Sequence, residues 1–422
     1  MFSDIIGNTQ SFITGALWIV VPFILLLLFL DIWLFYRRAK YINNFKWVTL
    51  ELRVPREVIK SPKAMEQVFA VAYNTYSGGI TFWEKWWKGK IEDWSSFELV
   101  GRAHGVHFFI RIQEVFRNLI ESAIYAQYPD AEISEVPDYT NDFSPSLPDK
   151  TYDLWGSDFI LKKENGYPIL TYPAFEEKGA IEEERRIDPI AVIAEAMSNL
   201  KESEAVWLQI LIRPTGDGWK KEAEGLINEL QGKKSSSAVK IPGASLFHGL
   251  GEFFANLVAA PVEYPVWGDP SKGAEEKRPE VVRGQQKIIE AIENKISKLG
   301  FESVVRFLYI GNREAFSRGN ITAVLGSFRQ FAAMNLNSFK PNMKTITLRR
   351  GFFLFRKFEL RKRKRLLYDN YRIRNFPKKF SILNPEELAT FYHPPLTGVK
   401  ATHLRRTEFK RGGPPPDLPV AL

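Results

Sequence analysis

The sequence predicts an α+β fold carried on an N-terminal transmembrane helix. Three observations lead there. Residues 12–36 are almost wholly apolar; strand-period and helix-period patterns then alternate in the order β-α-β-β-α-β; and a second mixed run of helices and strands follows, before a cation-rich segment and a Pro-rich tail.

The apolar stretch is purest over residues 16–30, where only Pro22 interrupts it. A hydrocarbon core of about 30 Å takes roughly 20 such residues in a helix, and membrane helices tolerate a proline. Trp18, Trp33 and Tyr36 fall near the two edges, where interfacial aromatics sit, with Leu26 between them. A cleaved signal peptide would need a basic leader and a small-residue cleavage site. This leader carries Asp4 and no Lys or Arg. Arg37, Arg38 and Lys40 follow the apolar run, so the positive-inside rule places the rest of the chain in the cytoplasm. The expectation for residues 1–42 is a single-pass anchor in the cytoplasmic membrane, N-terminus outside.

Residues 43–140 read as a ferredoxin-like βαββαβ unit. Val48, Leu50, Leu52 and Val54 alternate with Trp47, Thr49, Glu51 and Arg53, which predicts a half-buried strand. Ser61-Pro62 opens a helix carrying Met65, Val68, Phe69 and Ala72, and Gly78-Gly79 closes that stretch. Strands at 97–100 and 106–112, a helix with Val115, Phe116, Leu119, Ile120, Ala123 and Ile124 on one face, and a short strand at 131–136 complete the unit.

Residues 141–345 predict a second α+β unit. Asn165-Gly166 signals a hairpin between strands near 157–163 and 167–172. Asp188-Pro189 caps a helix, 205–212 is a strand buried on both faces, and a helix spans about 218–231. Residues 232–279, rich in Ser, Gly, Pro and Lys, read as a flexible insertion. A helix near 280–298, a strand at 303–310 and a helix near 314–334 follow. Residues 349–379 then hold 13 Lys or Arg against Glu359 and Asp369, a net +11 that exceeds the +9 of the whole chain. The basic character is therefore local to the 346–404 segment. The tail, 405–422, is polar, Pro-rich and expected to be disordered.

No cysteine is present, which excludes disulfides, thiolate metal sites and cysteine nucleophiles. No phosphate-binding P-loop, GxSxG, HExxH or GxGxxG pattern occurs. His104 and His107 flank a hairpin turn without a third ligand in reach, and His248, His393 and His403 are scattered. Acidic clusters at 130–153 and 176–188 read as solvated loops or divalent-cation sites. No cofactor, no metal and no enzymatic role is expected.

Trp83, Trp86, Trp87 and Trp94 are interleaved with Lys85, Lys88 and Lys90. Such a pattern suits a membrane interface, single-stranded nucleic acid, or plain packing. Residues 246–262 place Leu246, Phe247, Leu250, Phe253, Phe254, Leu257 and Val258 on one helical face. Arg361, Lys362, Arg363, Lys364 and Arg365 are five consecutive cations, readable as an anionic-lipid, nucleic-acid or acidic-protein contact, or as a solvated face.

Two stretches resemble a known family. One runs from Thr75-Tyr76-Ser77-Gly78-Gly79 through the Trp-rich segment to Ile124-Tyr125-Ala126-Gln127-Tyr128-Pro129-Asp130-Ala131. The other is Leu383-Asn384-Pro385-Glu386-Glu387-Leu388-Ala389-Thr390-Phe391-Tyr392-His393-Pro394-Pro395, with Pro414-Pro415-Pro416-Asp417-Leu418-Pro419 after it. Together they resemble the non-motor N-terminal region of conjugation and type IV secretion ATPases. There, such elements lead into a P-loop motor; here the chain stops at Leu422, about where the motor would begin. The resemblance implies a membrane-anchored, non-catalytic platform or adaptor that works with a separate P-loop ATPase. The alternative is a membrane-surface protein unrelated to transport, binding anionic lipid or nucleic acid through its Trp-rich and basic segments. Either reading leaves oligomerisation open.

Overall fold

The structure is a computed structural model that describes residues 2–55, 60–103, 105–175, 188–198, 200–232, 283–348 and 356–395, with residues 2–20 and 283 described by their backbone alone. Its backbone is an α+β fold around one nine-stranded, wholly antiparallel sheet. Helix α1 (Phe2–Asn43) precedes it and continues through Pro22.

The first unit is β1 (Trp47–Arg53), α2 (Lys63–Ala72), β2 (Ser95–Arg102), β3 (Gly105–Gln113), α3 (Arg117–Gln127) and β4 (Glu132–Glu135). These strands lie side by side in the order β4-β1-β3-β2. The second unit is β5 (Tyr152–Leu161), α4 (Ala191–Ser198), β6 (Glu204–Thr215), α5 (Lys220–Leu230), α6 (Arg283–Ile296), β7 (Gly300–Asn312), α7 (Arg318–Ser327) and β8 (Phe339–Pro341). Its order is β6-β7-β5-β8, the same arrangement read from the other side. The units join where β2 pairs β6 antiparallel, so equivalent strands face each other and Glu98 stands opposite Gln209.

The expected strands and helices of the first unit are present within a few residues. Its first strand differs in one respect. Thr49 and Glu51 are buried as well as Leu50 and Leu52, because chain elements cover both faces of the sheet. On one face α2, α3, α4 and α7 close over a core that includes Leu50, Phe69, Phe97, Ile124, Ile193, Ile210, Phe307 and Val324. On the other, Trp207, Leu308 and Ile310 pack against Leu367, Tyr368, Tyr371 and Tyr139.

The hairpin expected at Asn165-Gly166 does not form. Strand β5 pairs instead with β7 and β8, and 167–172 is not a strand. The Asn-Gly pair has other work. Asn165 Oδ1 accepts a hydrogen bond from the Ile382 amide at 3.0 Å, and Gly166 passes so close to α5 that a Cβ there would lie 2.8 Å from Leu226 and 3.0 Å from Ala223.

After β8 the chain supplies α8 (Arg356–Arg372), β9 (Ser381–Leu383) and α9 (Pro385–Phe391). Strand β9 extends the sheet on β7, pairing Phe301 with Leu383. Helices α8 and α9 lie on opposite faces of the seam. Among the described residues no helix is long and apolar enough to cross a membrane.

Candidate functional site

Among the described residues, helix α1 reaches the body through its C-terminal part. A π-helical turn, Glu84–Lys88, packs against it and ends on Gly89, whose φ of +69° suits glycine. A Cβ at Gly89 would lie 2.4 Å from the Arg37 carbonyl, so the close approach also requires glycine. Trp33 Nε1 donates to the Trp86 carbonyl at 3.0 Å, the Trp33 and Trp87 rings meet edge to face at 6.2 Å, and Trp83 stacks on Trp87 at 4.8 Å. The Arg37 guanidinium lies 5.6 Å from the Trp33 ring centroid. Phe82, Trp83 and Trp87 stay exposed beside this joint. Above it Val21, Phe23, Ile24, Leu25, Leu26, Leu27, Leu28, Phe29, Ile32, Phe35 and Tyr36 are exposed around the whole helix.

The four expected tryptophans therefore separate. Trp83, Trp86 and Trp87 form a collar on α1, whereas Trp94 packs in the body with Phe45 and Trp47. Leu26, Trp33 and Tyr36 lie on the described part of α1; Pro22 is within the helix, and the side chain of Trp18 lies outside the described residues. Arg37 and Arg38 are half-buried near the collar and Lys40 is exposed.

The five-cation run becomes part of α8, where helical periodicity divides it. Leu367, Tyr368 and Tyr371 face the sheet, and Lys364 goes in with them to reach Asp153 at 2.6 Å. Arg363 lies 3.5 Å from Glu359 and Arg365 3.0 Å from Asp369, both i,i+4 pairs. Arg361 and Lys362 point outward into solvent. The acidic stretch 130–153 thus proves to be a set of partners for cations: Asp153 for Lys364, Asp142 for Arg102 and Asp138 for Arg374.

At the end of α8 the chain turns into the seam. Arg374 has a φ of +51°, a left-handed backbone that non-glycine residues adopt at a cost of order 1 kcal/mol. Its guanidinium donates to both Glu98 oxygens at 3.0 Å and to Asp138. Gln209 Nε2 donates to Glu98 at 2.9 Å, and the Tyr139 hydroxyl donates to Glu98 at 2.7 Å. Arg306 donates to Asp158 at 2.7 Å, to Gln209 Oε1 at 3.0 Å and to the Asn370 carbonyl at 2.9 Å. Burial pushes the Glu98 carboxyl up, but the Arg374 guanidinium outweighs it and holds the group below the usual carboxylate range. Asp138 is lowered in the same way, its burial overcome by Arg374 and by the Thr140 backbone and hydroxyl.

Helix α9 clamps the opposite face. Asn384 caps it by accepting from the Glu387 amide at 2.8 Å, while Glu387 accepts from the Asn384 amide at 2.9 Å, a capping box with Pro385 at the first helical position. Glu387 also pairs with Lys295 at 3.1 Å, both side chains buried, and accepts from the Ile169 amide at 2.9 Å. Burial lowers the Lys295 amine, and Glu387 only partly offsets it. Tyr392 packs on Phe69, Phe97 and Phe108, and His393 lies against Asp188 at 2.9 Å. His107 meets Glu51 at 2.7 Å. His104, His248, His403, residues 176–187 and residues 246–262 lie outside the described residues. Among the described residues no group of His, Asp or Glu is arranged to hold a metal ion.

Sequence reasoning missed the seam network. Its members, Glu98, Asp138, Asp158, Gln209, Arg306 and Arg374, are far apart in the chain and belong to no motif. The positions of Lys364, Leu367, Tyr368 and Tyr371, spaced i, i+3, i+4 and i+7, carried the signal for the buried face of α8 beneath its cations.

A family described as Domain of unknown function (DUF8128) matches residues 49–395. The chain belongs to that family. The match runs from β1 to Pro395, so it takes in both units, the seam network, α8 and the α9 clamp, and leaves α1 outside. No curated protein matches the chain.

Proposed function

We propose that this DUF8128 protein is a membrane-anchored, non-catalytic platform whose α+β body lies on the cytoplasmic side and serves a separate P-loop ATPase that moves DNA or protein. The observation that carries the anchor is α1 itself. A helix apolar all round is unstable in water unless something covers it, and residues 21–29, apolar without exception, are exposed on every side. A tryptophan collar at the foot of the apolar stretch, followed by Arg37, Arg38 and Lys40, supports an interfacial joint with the body inside. The ATPase partner rests on the resemblance of the two quoted sequence stretches. Alkaline carbonate extraction tests the anchor: the full chain stays in the membrane pellet, and release into the supernatant would end this reading. A second test is ATP hydrolysis by the purified chain, which is expected to stay at background.

The strand orders of the two units support reading each as ferredoxin-like, joined edge to edge about an approximate two-fold axis through the Glu98–Gln209 pair. Position argues against the basic run as a lipid contact. Ile42 and Phe45, at the end of α1, pack with Trp94, Leu211 and Val304, whereas Lys364 meets Asp153 beside Gly311. Seven residues along β7 separate Val304 from Gly311, about 23 Å at strand rise. The five-cation run of α8 sits at the end of the sheet away from the anchor, and the chain beyond the helix turns back towards it, where Phe376 packs beside Ile42 and Phe45.

A further inference from the structure

We propose that the outer face of α8 docks an acidic, amphipathic helical segment of a partner protein. Platform function enters this inference only in placing the face in the cytoplasm. The face is built from two features of one helix. Phe358, Leu366 and Ile373 are 70%, 59% and 65% exposed, and their spacing puts them within about 80° of one another around the helix. Lys362 lies inside that stripe with Asp369, whose charge is matched by Arg365 at 3.0 Å, and Arg361 and Arg365 border it on one side. Beside the N-terminal half of α8 an open cleft of about 500 Å³ is lined by Lys150, Arg313, Lys357 and Arg361, while of its two acids Asp153 pairs with Lys364 and the Asp149 carboxylate accepts from the Thr151 and Tyr152 amides.

The helix does not need these apolar side chains for folding. Its inner face, Leu367, Tyr368 and Tyr371, already buries it on the sheet. Three large apolar groups in line on an exposed helix gain free energy only when another apolar surface covers them, at roughly 25 cal/mol per Å². The charge of that surface is set by its neighbours. Arg361 and Lys362 have no acidic partner among the described residues, so the complement is negative.

Duplex DNA would satisfy the cations and leave Phe358, Leu366 and Ile373 wet, because a phosphate backbone offers no apolar surface. An anionic bilayer would satisfy both, but Phe358, Arg361 and Lys362 belong to the half of α8 that meets Asp153 beside Gly311, at the end of the sheet remote from α1. A protein segment with Leu-type residues on one stripe and Asp or Glu beside it satisfies both without that conflict.

The test uses the full chain in nanodiscs of neutral lipid. The probe is a labelled synthetic peptide of about 18 residues, Glu-rich, with Leu at i, i+4, i+7 and i+11. Polyglutamate of equal charge, a short DNA duplex and phosphatidylserine vesicles are compared with it. The peptide is expected to bind at least roughly tenfold more tightly than polyglutamate, and the triple variant Phe358→Ser, Leu366→Ser, Ile373→Ser to lose at least roughly tenfold in peptide affinity with its unfolding midpoint unchanged. Should the triple variant fail to fold, Phe358→Ser and Leu366→Ser singly carry the same expectation at smaller size. Arg361→Gln with Lys362→Gln should weaken binding at low salt and flatten its salt dependence. Peptide affinity no better than polyglutamate, indifference to the serine variants, or tighter binding of DNA or vesicles would each overturn the proposal. A body found outside the cytoplasm, with peptide binding intact, would instead remove the platform reading and leave the docking face standing.

Discussion

The C-terminal segment holds two sets of cations with opposite fates. Arg374 is buried with its guanidinium locked between Glu98 and Asp138, and Lys364 is drawn in to Asp153. Arg361 and Lys362, three and two residues before Lys364, stand in solvent. A count of charge treats them alike. Within the inner set Arg374 fixes the seam, holding Glu98 of β2 and Asp138 of the connection after β4, while Lys364 ties α8 to Asp153 of β5. The outer set costs the fold nothing and is free for a partner. Whether a cation is structural or available depends here on where the backbone points it, by helical phase for Lys364 against Arg361 and Lys362 and by the left-handed turn for Arg374, not on local composition.

The largest effect that would break this comparison is at Arg374. Arg374→Ala leaves the buried Glu98 and the half-buried Asp138 without their cation and should destabilise the protein by about 3–5 kcal/mol, measured as a shift of the urea unfolding curve of the full chain in detergent. A loss no greater than that of a surface variant would place the network among the dispensable ones. Acidification should act on the same set. Glu98 and Asp138 are held below their ordinary values, and Glu51 falls from 4.5 to about 2 because His107 and Arg53 overcome its burial. A carboxylate lowered on folding contributes stability that is fully present above its unfolded value and is lost as pH falls through its folded one. The urea midpoint should therefore hold above about pH 5 and decline from about 4.5 towards 2, with Glu51→Gln flattening part of the decline. A midpoint that rises on acidification would contradict the pairing.

A smaller effect is expected on the opposite face of the seam. Asn384→Ala removes the acceptor for the Glu387 amide and should cost about 1 kcal/mol in the same denaturation experiment. The smallest belongs to the outer set. Arg361→Gln with Lys362→Gln should change stability by no more than about 0.5 kcal/mol. A loss comparable to that of Arg374→Ala would erase the distinction between inner and outer cations.

How far the sequence discloses this fold depends on the kind of signal. The first unit was legible because apolar periods of 2 and 3.6 set its strands and helices one by one, from Val48-Leu50-Leu52 to Ile120-Ala123-Ile124. Sequence reasoning missed the α9 cap, although Asn384, Pro385 and Glu387 stand at the positions a helix start requires. Asn165-Gly166 misled because a turn signal is local, whereas its use here is set by Ile382 and by α5. The seam could not be read at all. Glu98 and Arg374 are 276 residues apart, and nothing in either neighbourhood names the other. Helix α1 sits between these cases: residues 12–36 announce an apolar helix, and the structure adds that residues 21–29 are exposed on every side while Trp33 meets the body at Trp86 and Trp87.

The orientation of the body is the claim on which the platform reading rests, and a reporter fused after Leu422 addresses it directly. Alkaline phosphatase, active only outside the cytoplasm, should be silent there, and a fluorescent protein that matures only inside should be bright. Replacing Arg37, Arg38 and Lys40 with Gln should weaken that bias. Phosphatase activity with a dark fluorescent fusion would put the body outside and contradict the account.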